Sequence, residues 1–197
     1  MLVTKLILKN WRNFRSVDVE LGLRVFVAGP NASGKSNLLD VFAFLKDIAK
    51  PSGGLQNAVN ERGGISKLRC LAARQYPDVE IEVHLADNGN KWSYAIGIKQ
   101  EARGYRQPYL AYERVTRGGQ TLLERPDQDD LKDTLRLTQT HLEQINANAL
   151  FRDLGRFFDS VSYLHLVPQL LRHPEAFSGP GIPGDPYGRG FLERVAR

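Results

Sequence analysis

The chain has 197 residues, 42% hydrophobic and 25% charged, which fits one globular domain of ordinary composition. No run of eighteen apolar residues occurs, so no membrane-spanning helix is expected, and the lysine-interrupted start Met1-Leu2-Val3-Thr4-Lys5 does not read as a signal peptide. A net charge of +5 permits contact with a polyanion without requiring it, the single Cys70 excludes an internal disulfide and fits a reducing cytoplasm, and four scattered histidines lack zinc-ligand spacing.

Residues 3–10 predict a first strand, and Ser16-Val17-Asp18-Val19-Glu20-Leu21 alternates like a second, one-sided strand. Residues 23–28, Leu-Arg-Val-Phe-Val-Ala, are short, apolar and rich in β-formers, which predicts a buried third strand. Directly after them stands Gly29-Pro30-Asn31-Ala32-Ser33-Gly34-Lys35-Ser36, the spacing of a phosphate-binding loop. From Lys35 to Lys50 the apolar residues Leu38, Phe42, Leu45 and Ile48 or Ala49 recur at helical spacing. Strand, glycine loop and helix together make a phosphate cradle. The glycines let backbone N–H groups turn inward, and the helix adds the positive end of its dipole. In that pattern Lys35 reaches the β- and γ-phosphates and the Ser36 hydroxyl binds Mg²⁺.

Pro51-Ser52-Gly53-Gly54 stops the helix, and residues 55–77 predict a loop with one short helix. From Val79 the period becomes two. Val79, Ile81, Val83 and Leu85 share one face, and Asp87-Asn88-Gly89-Asn90 signals a hairpin. The return strand sets Trp92, Tyr94, Ile96 and Ile98 on one face, and strands near 109–116 and 120–124 complete an antiparallel meander. Asp87 does not read as a magnesium-binding Walker B residue, because its strand carries charges at alternate positions. Gly118-Gly119-Gln120 sits between strands and so does not read as a helix-opening signature. Lys99, Arg103, Arg106, Arg114 and Arg117, interleaved with Tyr105, Tyr109 and Tyr112, suit either a nucleic-acid backbone or a solvated hairpin rim, and the rim is the preferred reading. Residues 127–145 are polar, with Asp129-Asp130 able to start a short helix. Residues 148–160 predict a better helix, with Asn148 a candidate cap. Residues 161–167 predict a strand, stopped by Pro168, in which His165 reads as packed. A Gly/Pro-rich tail follows, with the first turns of a helix at residues 191–197.

Two stretches then resemble a known group. Lys9-Asn10-Trp11-Arg12, a short amphipathic strand, and Val27-Ala28-Gly29-Pro30-Asn31-Ala32-Ser33-Gly34-Lys35-Ser36-Asn37-Leu38-Leu39-Asp40 resemble the opening of the RecF/SMC-like ATPases, a branch of the ABC-type ATPases. The resemblance implies an α/β P-loop NTPase fold, an ABC-type ATPase N-terminal lobe with an antiparallel β layer packed on the phosphate-loop helix. It implies ATP bound by Arg12, Gly29, Asn31, Ala32, Ser33, Gly34, Lys35, Ser36 and Asn37. A guanidinium beside a phosphate loop can clamp phosphate oxygens, which is the preferred reading of Arg12 over a surface arginine. The resemblance further implies that Gln169 completes the Mg²⁺ shell with Ser36 and orients the attacking water, against the alternative of an exposed loop glutamine. Residues 1–171 would form the lobe and 172–197 a linker.

The signature helix, Walker B aspartate and catalytic glutamate of such ATPases have no place after Gln169. The expectation is therefore half of an ATPase head, a fragment or split subunit, that binds ATP and Mg²⁺ in the cytoplasm. A complementary C-terminal lobe or a homodimer partner would complete hydrolysis, in DNA repair, chromosome maintenance or phage defence, with DNA a candidate ligand. The alternative is a non-hydrolysing nucleotide sensor that recruits an effector such as a nuclease.

Overall fold

The computed structural model describes residues 1–71, 78–101, 107–164 and 172. It divides into two units, 1–159 and 160–197. The first is built on one six-stranded sheet. Strands β1 (Leu2–Trp11), β2 (Phe14–Glu20), β3 (Val79–Asp87), β4 (Asn90–Gln100), β5 (Pro108–Arg117) and β6 (Gln120–Arg125) lie in the order β2-β1-β3-β4-β5-β6, every pair antiparallel.

Alternation dictates which side of the sheet is dry. Leu8 stands opposite Ile81 and Ile81 opposite Ile96, while Leu6 faces Val83 and Val83 faces Tyr94, and all of these are buried. Each such side chain contributes about 1.5–3 kcal/mol relative to exposure. The intervening residues, Lys5, Lys9, Glu80, Glu82 and His84, form the outer face and pair with one another or with Asp18. The hairpin expected at 87–90 is present, with positive φ at Asn88 and Gly89, as a tight two-residue turn requires. Of the basic residues expected on this rim, Arg103 and Arg106, with Tyr105, lie outside the described residues, and the other three have partners within it. Lys99 lies 3.6 Å from Asp78, Arg114 pairs with Glu124 at 2.7 Å, and Arg117 stacks over Trp92.

Helix α1 (Lys35–Ala49) covers the dry face, burying Val41, Phe44, Leu45 and Ile48. Leu38 and Phe42, expected on the buried stripe, are only partly covered. Two short helices, α2 (Leu55–Asn60) and α3 (Ile65–Leu68), follow where one was expected. Residues 23–28 do not form the predicted strand. They carry neither strand nor helix, with Leu23 81% and Phe26 93% exposed. Composition made them strand-like, but a strand also needs a partner to bond, and no strand of this sheet pairs with them.

The polar stretch after β6 is held by a buried ion cluster. Arg125 uses all five of its N–H donors, on Asp130 Oδ1 and Oδ2, Glu113 Oε2 and the carbonyls of Arg136 and Gln139. The three charged side chains are fully buried. Burial would raise the Asp130 carboxyl, yet Arg125, the Asp127 amide and Arg136 outweigh it and hold Asp130 well below the usual carboxylate range. Helix α4 (Gln128–Lys132) opens with an Asp127–Asp130 capping box. Asn148 is not a side-chain cap. Its amide donates to Leu142 O and its oxygen accepts from Arg152, ahead of a short 3₁₀ turn and helix α5 (Arg152–Asp159). In the second unit, residues 161–164 form no strand, and Pro168, His165, Gln169 and the tail from 173 lie outside the described residues.

Candidate nucleotide site

The loop at 29–36 has the backbone of a cradle. Gly34 adopts φ 101° and Ala32 φ 62°, so the chain turns twice through the left-handed region before α1 begins. Gly34 admits no side chain, because a Cβ there would strike Asn13 Nδ2 and the Phe14 ring. The amides of Lys35, Ser36 and Asn37, in the first turn of α1, have no intrahelical carbonyl to bind, and no acidic side chain occupies that turn. Residues 31–37 line an open concavity of about 390 Å³. Lys35 Nζ folds back over the loop, donating to Gly29 O at 2.8 Å and Pro30 O at 2.7 Å.

These groups fit a phosphate chain with Mg²⁺. Unpaired amides at a helix N-terminus, a primary ammonium and a hydroxyl at Ser36 are the donor set that such a ligand uses. Mg²⁺ in such sites is held by one or two protein oxygens with phosphate oxygens and water, so an acidic cage is not needed. Among the described residues there is no group of three His, Cys, Asp or Glu side chains that could hold a metal, and no helix long and apolar enough to cross a membrane.

The turn between β1 and β2 is bound to α1 and, through Asn13, to the loop by three consecutive side chains. Trp11, fully buried, donates its indole N–H to Asn37 O at 2.7 Å and packs its ring on Phe44. Arg12 donates through Nε and Nη2 to Asp40 Oδ2 at 2.9 and 2.6 Å. Asn13 accepts from Asn37 Nδ2 at 2.9 Å and donates to Ser33 O at 3.4 Å. The turn holds Asn10 and Arg12 at φ 55° and 50°, and the Arg12 amide bonds Leu68 O. The structure thus brings Arg12 beside α1, on Asp40 and not on the loop itself, together with Asn31, Ser33, Lys35, Ser36 and Asn37.

Asp40 also receives Arg62, through Nε and Nη2, while Arg62 Nη1 reaches Asp47 at 2.8 Å. Burial works against the Arg62 charge, and the two carboxylates outweigh it and raise its pKa. Sequence reasoning missed Asn13, Asp40 and Arg62. Asp40 had a signal, since it lies four residues after Ser36 and so on the same face of α1. Gln169 is not placed, being outside the described residues.

The sequence of residues 24–195 matches the family described as "AAA domain, putative AbiEii toxin, Type IV TA system". Two proteins named DNA replication and repair protein RecF, from Brucella abortus (strain 2308) and Brucella suis biovar 1 (strain 1330), are 33% identical over 95 residues, covering 44% of this chain and 24% of theirs. The chain thus spans about a quarter of the length of these curated relatives. A chain of a solved structure described as "Structural biochemistry of ATP-driven dimerization and DNA stimulated activation of SMC ATPases" is 16% identical, with a TM-score of 0.42 over 87% of this chain and 96% of that one. With the family match running through the phosphate loop, the β meander and beyond, the chain belongs to this AAA-domain family.

Proposed function

We propose that the chain binds ATP with Mg²⁺ at residues 29–36, as the N-terminal lobe of a RecF/SMC-like ATPase head. The observation that carries this reading is the loop itself, whose unpaired first-turn amides, Lys35 and the Ser36 hydroxyl converge on one concavity. The phosphates would lie against the loop amides, with Lys35 Nζ leaving the Gly29 and Pro30 carbonyls to meet them. Mg²⁺ would bind Ser36 Oγ and neutralise charge on the phosphates. Asn13, Trp11 and Asp40 keep the cradle fixed to the sheet, so the donors are oriented before a ligand arrives.

Hydrolysis would need groups from a complementary C-terminal lobe or a second copy, with Gln169 assigned to the attacking water by resemblance alone. The exposed segment at 23–28 supports completion by another lobe. Leu23, Val25 and Val27 border an apolar groove of about 380 Å³, shared with Leu38, Leu39 and Phe42, and apolar surface of that kind is what a docking element covers. The assembled head would act as a cytoplasmic ATPase on DNA, in repair, chromosome maintenance or phage defence.

Calorimetric titration with Mg·ATP tests the binding step. Lys35→Ala should weaken binding at least about tenfold, the loss expected for one charged hydrogen-bond donor. Equal affinity of the two proteins would overturn the reading.

A further inference from the structure

Arg12 and Arg125 are both paired to aspartate, but they are used differently. Arg125 has every donor occupied, which marks a structural group. Arg12 commits Nε–H and one Nη2–H to a single oxygen of Asp40, and the other three N–H donors, including both on Nη1, have no partner among the described residues. Its side chain is 24% exposed, whereas that of Arg125 is fully buried. The backbone beneath is fixed by the Arg12 amide on Leu68 O and by the buried Trp11. Arg12 is therefore anchored at its Cα and along one edge of its guanidinium, with the opposite edge uncommitted.

Asp40 is suited to hold that edge without neutralising it. The Arg62 guanidinium bonds both Asp40 oxygens and is itself held by Asp47, the Ala58 carbonyl and the Phe44 ring. Asp40 thus stays oriented whether or not Arg12 is on it. Two guanidinium groups face the single carboxylate of Asp40, so its one negative charge does not cancel both. Asp40 stands one helical turn beyond Ser36 on the same face of α1.

We infer that Asp40 is a positioning residue for Arg12, presenting its uncommitted donors to the phosphates of a nucleotide in the loop, with Arg62 as the brace that fixes Asp40. This inference rests on the nucleotide reading above and adds the device that aims Arg12. A guanidinium pre-oriented in this way loses less rotamer freedom on binding phosphate than a free one.

A double-mutant cycle on the full chain tests it, with Mg·ATP affinity as the readout and thermal midpoint as the control for folding. Arg12→Ala should weaken binding about tenfold, the scale of one charged contact. Asp40→Asn should weaken it several-fold in the native background and have no further effect in the Arg12→Ala background. Asp40→Glu should restore part of the loss. Asp47→Asn, which removes one hold on Arg62 and leaves the Arg62–Asp40 bonds in place, should weaken binding less than Asp40→Asn does. Equal losses from Asp40→Asn in both backgrounds would overturn the inference, since Asp40 would then act through the fold. If Asp40→Asn does not fold, a loss from Asp47→Asn that is equal in the native and Arg12→Ala backgrounds would overturn it in the same way. If Lys35→Ala weakens binding while Arg12→Ala leaves it unchanged, the inference fails and the nucleotide reading stands.

Discussion

Trp11 Nε1 lies 2.7 Å from the Asn37 carbonyl, joining the β1–β2 turn to the helix that opens at the phosphate loop. The indole is the only donor its ring has, and the surrounding site is dry, so the bond is a buried neutral pair.

Trp11→Phe removes that donor and leaves a void beside Phe44. The expected loss of stability is about 2–3 kcal/mol, from the unmet polar group and the cavity together. Chemical denaturation measures it. A loss under about 0.5 kcal/mol, the scale of a surface change, would mean that the turn is held by Arg12 and Asn13 instead.

Arg125→Met removes the cation from two buried carboxylates. Breaking a buried pair on one side costs about 3–5 kcal/mol, because the partner charge remains. Replacing Arg125, Glu113 and Asp130 together by apolar residues of similar volume should recover much of that loss. Equilibrium unfolding of the single and triple variants would show the difference.

Glu143 gives a pH test. Burial raises its carboxyl to about 7, with Glu113 nearby adding to the rise and the Leu55 amide and Thr140 opposing it. A carboxyl raised in the folded state binds its proton more tightly there than in the unfolded chain. Its contribution to stability is therefore full below about 4.5, falls as pH climbs to about 7, and is flat above that. Glu143→Gln cannot titrate and still accepts from Leu55 N. The stability difference between native protein and variant, followed by thermal unfolding from pH 4 to 8, should change across that window. A difference that stays constant would show that Glu143 is not shifted.

Leu23→Ser with Phe26→Ser should leave the thermal midpoint almost unmoved, since these side chains face solvent. The same variant should scatter less light at high protein concentration, because an exposed apolar segment promotes association. A destabilisation of several kcal/mol would place the two side chains in a core, on the usual cost of emptying one.

Much of the sheet was legible because its period is local. Val79 to Leu85 and Trp92 to Ile98 alternate strictly, and Asn88-Gly89 fixes the turn between them. The phosphate loop was legible for a different reason, since its glycines and Lys35 have few other uses at that spacing. The irregular path of residues 23–28 was not, because apolar β-formers report a willingness to pair and say nothing of whether a partner strand bonds them. Glu113 and Arg125 read as ordinary strand charges, and their burial depends on the segment at 136–142 folding over them. Asp40 was visible only by helical geometry, and its two arginines come from 28 positions earlier and 22 later.

The insertion of β1 between β2 and β3 has a practical outcome for handling the protein. The exposed linker after β2 contains Arg24, an open target for trypsin. A nick there would sever the peptide, yet the first two strands would stay in place, since β1 remains zipped to β3 from Leu2 to Lys9 and its Trp11 is embedded behind α1. Such a sample would run as one species on gel filtration and as two bands only after denaturation, a two-piece protein held by its sheet.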